Sequence, residues 1–292
     1  SLFDALGSTP PADSDLDQLV SWGVGLVRVW AHWNQPIYGP DGTITPGGRQ
    51  RLLNLVARLG ARRLVLDLVL LRPGQLPGQR FALFSSPAAR LRAVREITSI
   101  LRPYRLIFFD VFNEHDHPDG PISPAEGRML RDAVKAIDPA RIVAMSFTSA
   151  DLLDTNSRVG VPGRRRLLDQ IGPGPDGAGL DLLAPHLPRT HDWSSATGAR
   201  VTALREALRA LGRDVPVLLD EERRAEAGEP PLAAEDYLAA AAGARNAGAA
   251  GWILHTSAGF NLGKQRFVDA LNVEERRALA GLSARLKQAP SY

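Results

Sequence analysis

The stretch FFDVFNEHDHPDG, residues 108–120, decides how the chain is to be read. Four of its first five residues are apolar, and the next five are Asn113, Glu114, His115, Asp116 and His117. Aromatic and β-branched residues in a short run have the composition of a buried strand. The abrupt switch to an amide, acids and imidazoles puts those groups where the strand runs out. Side chains alternate along a strand, so Asp110, Phe112 and Glu114 share a parity and Glu114 stands at the rim.

Outward from this stretch one unit recurs: a short β-branched or leucine-rich run, a polar loop, then a helical pattern. Strands are predicted at residues 2–6, 25–30, 63–68, 106–112, 141–146, 180–184, 215–220 and 249–255. Helices are predicted at 14–22, 48–59, 87–101, 124–137, 196–211, 234–246 and 273–288. Ser86-Pro87 and Ser123-Pro124 each place a capping residue ahead of Pro at the first helical position. Eight strands alternating with helices predict a parallel sheet closed into a (β/α)8 TIM barrel. Helix-to-strand turns such as Gly60-Ala61-Arg62 are tight, whereas strand-to-helix loops are long and rich in Gly and Pro. No G-x-G-x-x-G or P-loop follows the first strand, which argues against an open doubly wound sheet. No linker or composition shift marks a second domain, so one α/β barrel domain over residues 1–292 is expected.

With 44% hydrophobic residues the chain can build a sizeable core, and its net charge is only +3. Cysteine is absent, which excludes disulfides, thiolate catalysis and Cys-ligated metals. No apolar run approaches the ~20 residues needed to span a bilayer. The compact basic run Arg164-Arg165-Arg166 reads as a solvated first helical turn; a nucleic-acid surface would interleave longer basic clusters with aromatics. Neither nucleic acid, membrane nor an obligate protein partner is expected. The chain begins without Met inside a predicted element, which fits a removed signal peptide and favours a secreted or periplasmic location, although a chain without Cys fits any compartment.

All six histidines (His32, His115, His117, His186, His191 and His255) fall at or just beyond the carboxyl ends of predicted strands 2, 4, 6 and 8. Trp30, Trp33 and Trp193 fall in the same places, so a polar, aromatic-walled mouth is expected on the loop face, where such barrels carry their chemistry. A second carboxylate appears in PVLLDEERR, residues 216–224. If Val217 and Leu219 face the interior, Glu221 rises into the mouth while Asp220 and Glu222 do not. In GLVRVW, residues 25–30, a lone Arg28 sits in an apolar strand and needs a carboxylate partner. Beside Glu221 it would hold that carboxyl ionised while Glu114 keeps its proton. Two carboxyls with proton affinities pushed apart are what glycosidic-bond cleavage requires.

These segments resemble a known family. FFDVFNE, PVLLDE, LVRVW and LLAPH are similar to the strand-4, strand-7, strand-2 and strand-6 signatures of the clan A glycoside hydrolases, retaining (β/α)8 enzymes with cellulase-like and β-mannanase-like members. The resemblance runs from about residue 20 to 260, and the two glutamates about a hundred residues apart are its most specific part. It implies that Glu114 is the general acid/base and Glu221 the nucleophile of a double displacement on a carbohydrate, with no cofactor and no metal. Asn113 would bond the sugar 2-hydroxyl, Arg28 would orient Glu221, and His186 would lie near the nucleophile or the sugar. Trp30 or Trp33 would stack on a pyranose, and His32, His115, Trp252 and His255 complete the expected carbohydrate-binding set. The pattern departs from the family at His115 (usually Pro), Val69 (often His), Pro188 (often Tyr) and His255 (usually Trp), which points to a divergent branch.

Two rival readings use the same face. His115 and His117, with His186, His191 and His255, could ligate a metal in a metal-dependent hydrolase. That pair follows strand 4, however, and no strand-borne Lys or metal-binding Asp completes it. A barrel that binds glycans without cleaving them is the other alternative. Retention of Glu114, Glu221, Asn113 and Arg28 favours catalysis over both.

Overall fold

A computed structural model describes residues 1–72, 84, 86–118, 122–148, 167, 172 and 179–288. The Arg164-Arg165-Arg166 run and most of the loop at 172–179 lie outside the described residues. Parallel pairing joins β1 (Leu26–Trp30) to β2 (Val65–Val69), β2 to β3 (Ile107–Asp110), and β3 to β4 (Val143–Ala144). β5 (Phe147–Thr148) pairs with β6 (Pro185–His186), and β7 (Leu218–Leu219) with β8 (Gly251–Trp252). A bridge between Leu183 and Val217, and a bond from Asp181 N to Val143 O at 3.0 Å, tie these ladders into the staves of a (β/α)8 barrel.

The predicted strand at residues 2–6 forms turns instead. Ala5 N bonds Leu2 O and Gly7 N bonds Asp4 O, so the backbone satisfies itself locally rather than through a ladder. The segment still closes the ring: Leu2 N donates to Arg28 O at 2.8 Å, Trp30 N to Phe3 O at 3.4 Å, and Asp4 N to Gly259 O at 2.9 Å.

Outside the staves lie α1 (Asp13–Ser21), α2 (Pro46–Ala61), α3 (Pro87–Leu101), α4 (Pro124–Ile137), α5 (Trp193–Ala210), α6 (Ala234–Asn246), α7 (Phe267–Ala270) and α8 (Val273–Gln288). Thr45, Ser86 and Ser123 accept the third-residue N–H of α2, α3 and α4, caps worth about 1 kcal/mol each. Each precedes Pro at the first helical position, which is why α2 starts at Pro46, two residues before the predicted start.

Side-chain parity divides the core. Val27, Val29, Leu66, Leu68 and Phe109 pack outward against Leu52, Leu55, Val94, Ile97, Leu130 and Val134 of the helices. Leu26, Val65, Phe108, Ala144, Leu182 and Leu218 fill the barrel interior. The parity expected for the seventh predicted strand is inverted. Val217 and Leu219 pack on Val201, Leu204 and Leu208 of α5, whereas Leu218 and Asp220 point inward. Both faces of a parallel barrel strand are apolar, so periodicity alone cannot choose between them.

Candidate active site

Above the apolar layer of the interior lies an ionic one. Arg28, fully buried, is paired across the ladder with Asp67. Its Nη1 reaches Asp67 Oδ2 at 3.0 Å and also Asp220; its Nη2 reaches Asp110 Oδ2 at 2.9 Å and Asn113 Oδ1 at 2.6 Å. The expected contact with Glu221 is therefore replaced by three aspartates. They occupy the inward parity of neighbouring staves at the level of Arg28, whereas Glu221 stands beyond the strand end. Burial, reinforced by the neighbouring Asp110, pushes the Asp67 carboxyl up to about 7 although Arg28 opposes the shift. Asp67, inside the apolar run VLDLV, carried a signal that the sequence reading left unused: an acid in a buried strand is the complement an embedded Arg requires.

The same layer builds the chain reversal that presents Glu114. Asp110 accepts from both the N–H and the hydroxyl of Ser146, at 3.0 and 2.6 Å. Ser146 in turn accepts the Glu114 N–H on its hydroxyl and the His115 N–H on its carbonyl, each at 3.1 Å. Asp116 clamps the following turn by accepting from the N–H and hydroxyl of Thr148. Glu114 is held at φ +43°, a left-handed conformation that costs a non-glycine residue about 1–3 kcal/mol and persists only where its surroundings impose it. The abrupt polarity after Phe112 therefore has a local cause: the strand ends in a bonded turn that aims one carboxylate at the barrel mouth.

Glu114, His186 and Glu221 each bring a ligand atom within 4.8 Å of the others. His186 Nδ1 lies 2.8 Å from Glu114 Oε1, and its Nε2 lies 3.3 Å from Asp220 Oδ1 and 3.9 Å from Glu221 Oε2. Arg189, from the loop after β6, donates to Glu221 Oε1 at 3.2 Å. Burial raises the Glu221 proton affinity, but His186, Arg28 and Arg189 outweigh it and hold the carboxyl well below the ordinary range. Burial likewise opposes ionisation of Glu114, yet the bond from His186 brings it below its ordinary value. The sequence reading left Glu114 the less compensated of the two carboxyls; in the structure His186 stands against it. No sequence feature singled out Arg189, a loop residue whose role depends wholly on the fold.

His255 is neutral by construction. Burial holds its ring well below the ordinary histidine value. Its Nδ1 faces Glu222 O at 2.7 Å and donates to that carbonyl, leaving Nε2 to accept from Arg224 Nη1 at 2.9 Å.

A cavity of about 600 Å³ joins these groups at the carboxyl ends of the strands. Of the expected site residues, Glu114, Glu221, Asn113, Trp30, Trp33 and His255 line it, together with Phe3, Arg72, His117, Arg189, Arg224 and Phe260. Arg28 lies beneath it and His186 against both glutamates. Three expected residues lie elsewhere. His115 is buried with its ring toward Ile122 O, 3.4 Å away. His32 is buried behind Trp30, their rings stacked at 6.3 Å. Trp252 lines a different, apolar cavity with Leu26, Val27 and Leu279, because its ring follows the outer parity of β8 into the core between sheet and helices.

No protein-family model and no curated protein matches the chain. Solved structures do. An exo-β-1,4-mannosidase from Opitutaceae bacterium strain TAV5 superposes over 95% of this chain with a TM-score of 0.65 at 21% identity. This chain spans 56% of that protein's length. The GH5_18 protein from Streptomyces cattleya, in complex with Manβ1-4GlcNAc, matches over 96% of this chain and 76% of its own, with a TM-score of 0.67 at 20% identity. A GH5-4 broad specificity endoglucanase from an uncultured bacterium matches over 94% and 86%, with a TM-score of 0.67 at 14% identity. The chain has the barrel fold of cellulase-like glycoside hydrolases.

Within that barrel the histidines of the rival metal reading do not all meet. His115 turns into the core and His191 is exposed. Among the described residues, the group that brings three potential ligand atoms together is Glu114, His186 and Glu221, whose oxygens and nitrogens already meet in ion pairs.

Proposed function

We propose that the protein is a retaining glycoside hydrolase that cleaves β-glycosidic bonds with Glu221 as nucleophile and Glu114 as general acid/base. The observation that carries this reading is the pair of carboxylate oxygens within 4.8 Å across one cavity, near the ~5 Å separation of retaining pairs and short of the gap an interposed water needs.

In the first step a Glu221 oxygen bonds the anomeric carbon as the glycosidic C–O bond breaks, and Glu114 gives its proton to the departing oxygen. In the second, Glu114 takes a proton from water, the hydroxide oxygen bonds the anomeric carbon, and Glu221 leaves as carboxylate. Electrostatics support the exchange of roles. The ionised Glu221 raises the proton affinity of Glu114. Once Glu221 is esterified that charge is gone, and Glu114 favours the carboxylate form the base needs. Arg28 holds the Asn113 carbonyl, which leaves the amide N–H groups for a sugar hydroxyl.

The test is turnover of an activated aryl β-glycoside panel, with and without chelator, alongside Glu114→Gln and Glu221→Gln. Turnover that resists chelator and falls by 10³-fold or more in both variants is expected. Trapping with 2-deoxy-2-fluoro glycosides must label Glu221. Loss of turnover on chelation, or glycan binding with no turnover, replaces this reading with a metal hydrolase or a binding barrel.

A further inference from the structure

The wall of the cavity is cationic where a neutral-sugar site would offer bare aromatic faces. Phe3, Trp30, Trp33 and Phe260 form one aromatic cluster, with Trp33 and Phe260 centroids 5.0 Å apart. The Arg72 guanidinium sits over the Trp33 ring at 5.6 Å, and the Arg224 guanidinium over the Phe260 ring at 5.0 Å. The two cations thus cover adjacent members of the wall on which a pyranose would stack, and both line the cavity.

The charge of Arg224 is only partly balanced. The third arginine of the cavity, Arg189, is engaged by Glu221. The carboxylate partner of Arg224 is Glu226, whose side chain is 52% exposed, so solvent screens that pair. Arg224 Nε is buried without a hydrogen-bond partner. Burial lowers the proton affinity of Arg224, and it pushes Arg72 down to about 10. Neutral His255 adds no charge beside them. A guanidinium is a planar fork matched to two oxygens of a carboxylate, sulfate or phosphate, and partial desolvation strengthens that match.

We infer that the substrate is an anionic glycoside, carrying an oxyanion substituent that Arg224 and Arg72 receive over the Trp33–Phe260 wall. This rests on the glycosidase reading and deepens it: the β-glycosides cleaved are uronates or sulfated or phosphorylated sugars rather than neutral glucan or mannan. Geometry favours a group on the sugar's periphery, since the anomeric carbon must lie between Glu114 and Glu221.

The test measures binding rather than turnover. Methyl β-glycosides in gluco, galacto and manno configurations are titrated calorimetrically as matched sets: neutral, 6-carboxylate, 6-sulfate and 6-phosphate. At least one anionic member should bind ten-fold or more tightly than its neutral partner at 50 mM salt, and its affinity should fall several-fold at 500 mM. The member preferred distinguishes a uronate from a sulfate or phosphate site. Arg224→Gln and Arg72→Gln should each reduce the preference below three-fold, and Arg224→Lys, which keeps the charge and loses the fork, should restore part of it. Unchanged melting temperatures show that the variants fold, and the wild-type salt dependence stands independently of them. If no anionic member outbinds its neutral partner in any configuration, or if the preference survives both Gln variants, the inference is overturned. Neutral aryl glycosides hydrolysed without an anionic preference would sink it while leaving the two-carboxylate chemistry intact; anionic binding without turnover would do the reverse.

Discussion

His186 Nδ1 stands 2.8 Å from Glu114 Oε1, so the histidine after the sixth predicted strand lies closer to the proposed acid/base than to the proposed nucleophile Glu221, which its Nε2 approaches only to 3.9 Å. That bond draws the Glu114 carboxyl below its ordinary value against the pull of burial. In His186→Asn the opposing contribution disappears and the carboxyl moves up. Because Glu114 must be protonated to start a cycle, the alkaline limb of kcat/KM against pH should shift to higher pH. We expect kcat to drop about 10–100-fold, since proton transfer is impaired rather than abolished. An alkaline limb that stays where it is in the variant would show that His186 does not govern the Glu114 proton.

Arg28 holds three buried aspartates together, and none of the four groups is more than 1% exposed. Arg28→Met removes the one cation among the described residues that reaches all three of Asp67, Asp110 and Asp220, leaving buried carboxyls without their partner. Breaking a buried pair by removing one partner costs about 3–5 kcal/mol. Urea unfolding of Glu221→Gln and of Arg28→Met/Glu221→Gln separates this from any catalytic effect. A difference below about 1 kcal/mol between them, the scale of an exposed pair, would contradict the ionic layer as described.

Asp67 makes that layer sensitive to pH. Its folded carboxyl titrates at about 7, above the unfolded value near 3.9, so between those two pH values the folded state holds a proton that the unfolded chain has released. Stability from this group is therefore full below pH 4 and lost progressively as pH rises to 7. Asp67→Asn mimics the protonated form and cannot lose it. Denaturant midpoints at pH 5 and 7.5 should show the variant gaining on the wild type by about 1–3 kcal/mol at the higher pH. A gain of equal size at both would trace the effect to packing instead.

The barrel, and the two glutamates that meet in its mouth, were legible because they depend on local signals. Alternating strand and helix patterns, cap-Pro pairs at Ser86 and Ser123, and the sudden polarity of residues 113–117 each declare themselves within a few positions. Contacts between staves were not. Arg28 announced its need for a carboxylate, but its choice of Asp67, Asp110 and Asp220 over Glu221 follows from the register of neighbouring strands, which no single strand records. The same blindness inverted the parity of residues 217–220, where both faces are apolar. Arg189 and Arg224 came from loops, and Phe260 from a single 3-10 turn, where no periodic pattern marks a residue as part of the site.

Trp252 separates the two accounts most directly. Read as sequence, it stands three residues before His255 at the barrel mouth and belongs with the sugar. In the fold it lines an apolar cavity of about 220 Å³ with Leu2, Leu26, Leu254, Phe267 and Leu279, and it packs against the clusters on either side of β8. Trp252 is half-buried, so Trp252→Ala should lower stability by about 1–3 kcal/mol, less than the loss of a fully buried ring. The Michaelis constant for an aryl glycoside, measured below the melting transition, should stay within about two-fold, because less than 0.5 kcal/mol of substrate binding is at stake. His255→Ala removes a cavity-lining ring that accepts from Arg224, so it should raise the Michaelis constant instead. If Trp252→Ala weakened substrate binding ten-fold while leaving the unfolding midpoint unchanged, the ring would have to face the sugar.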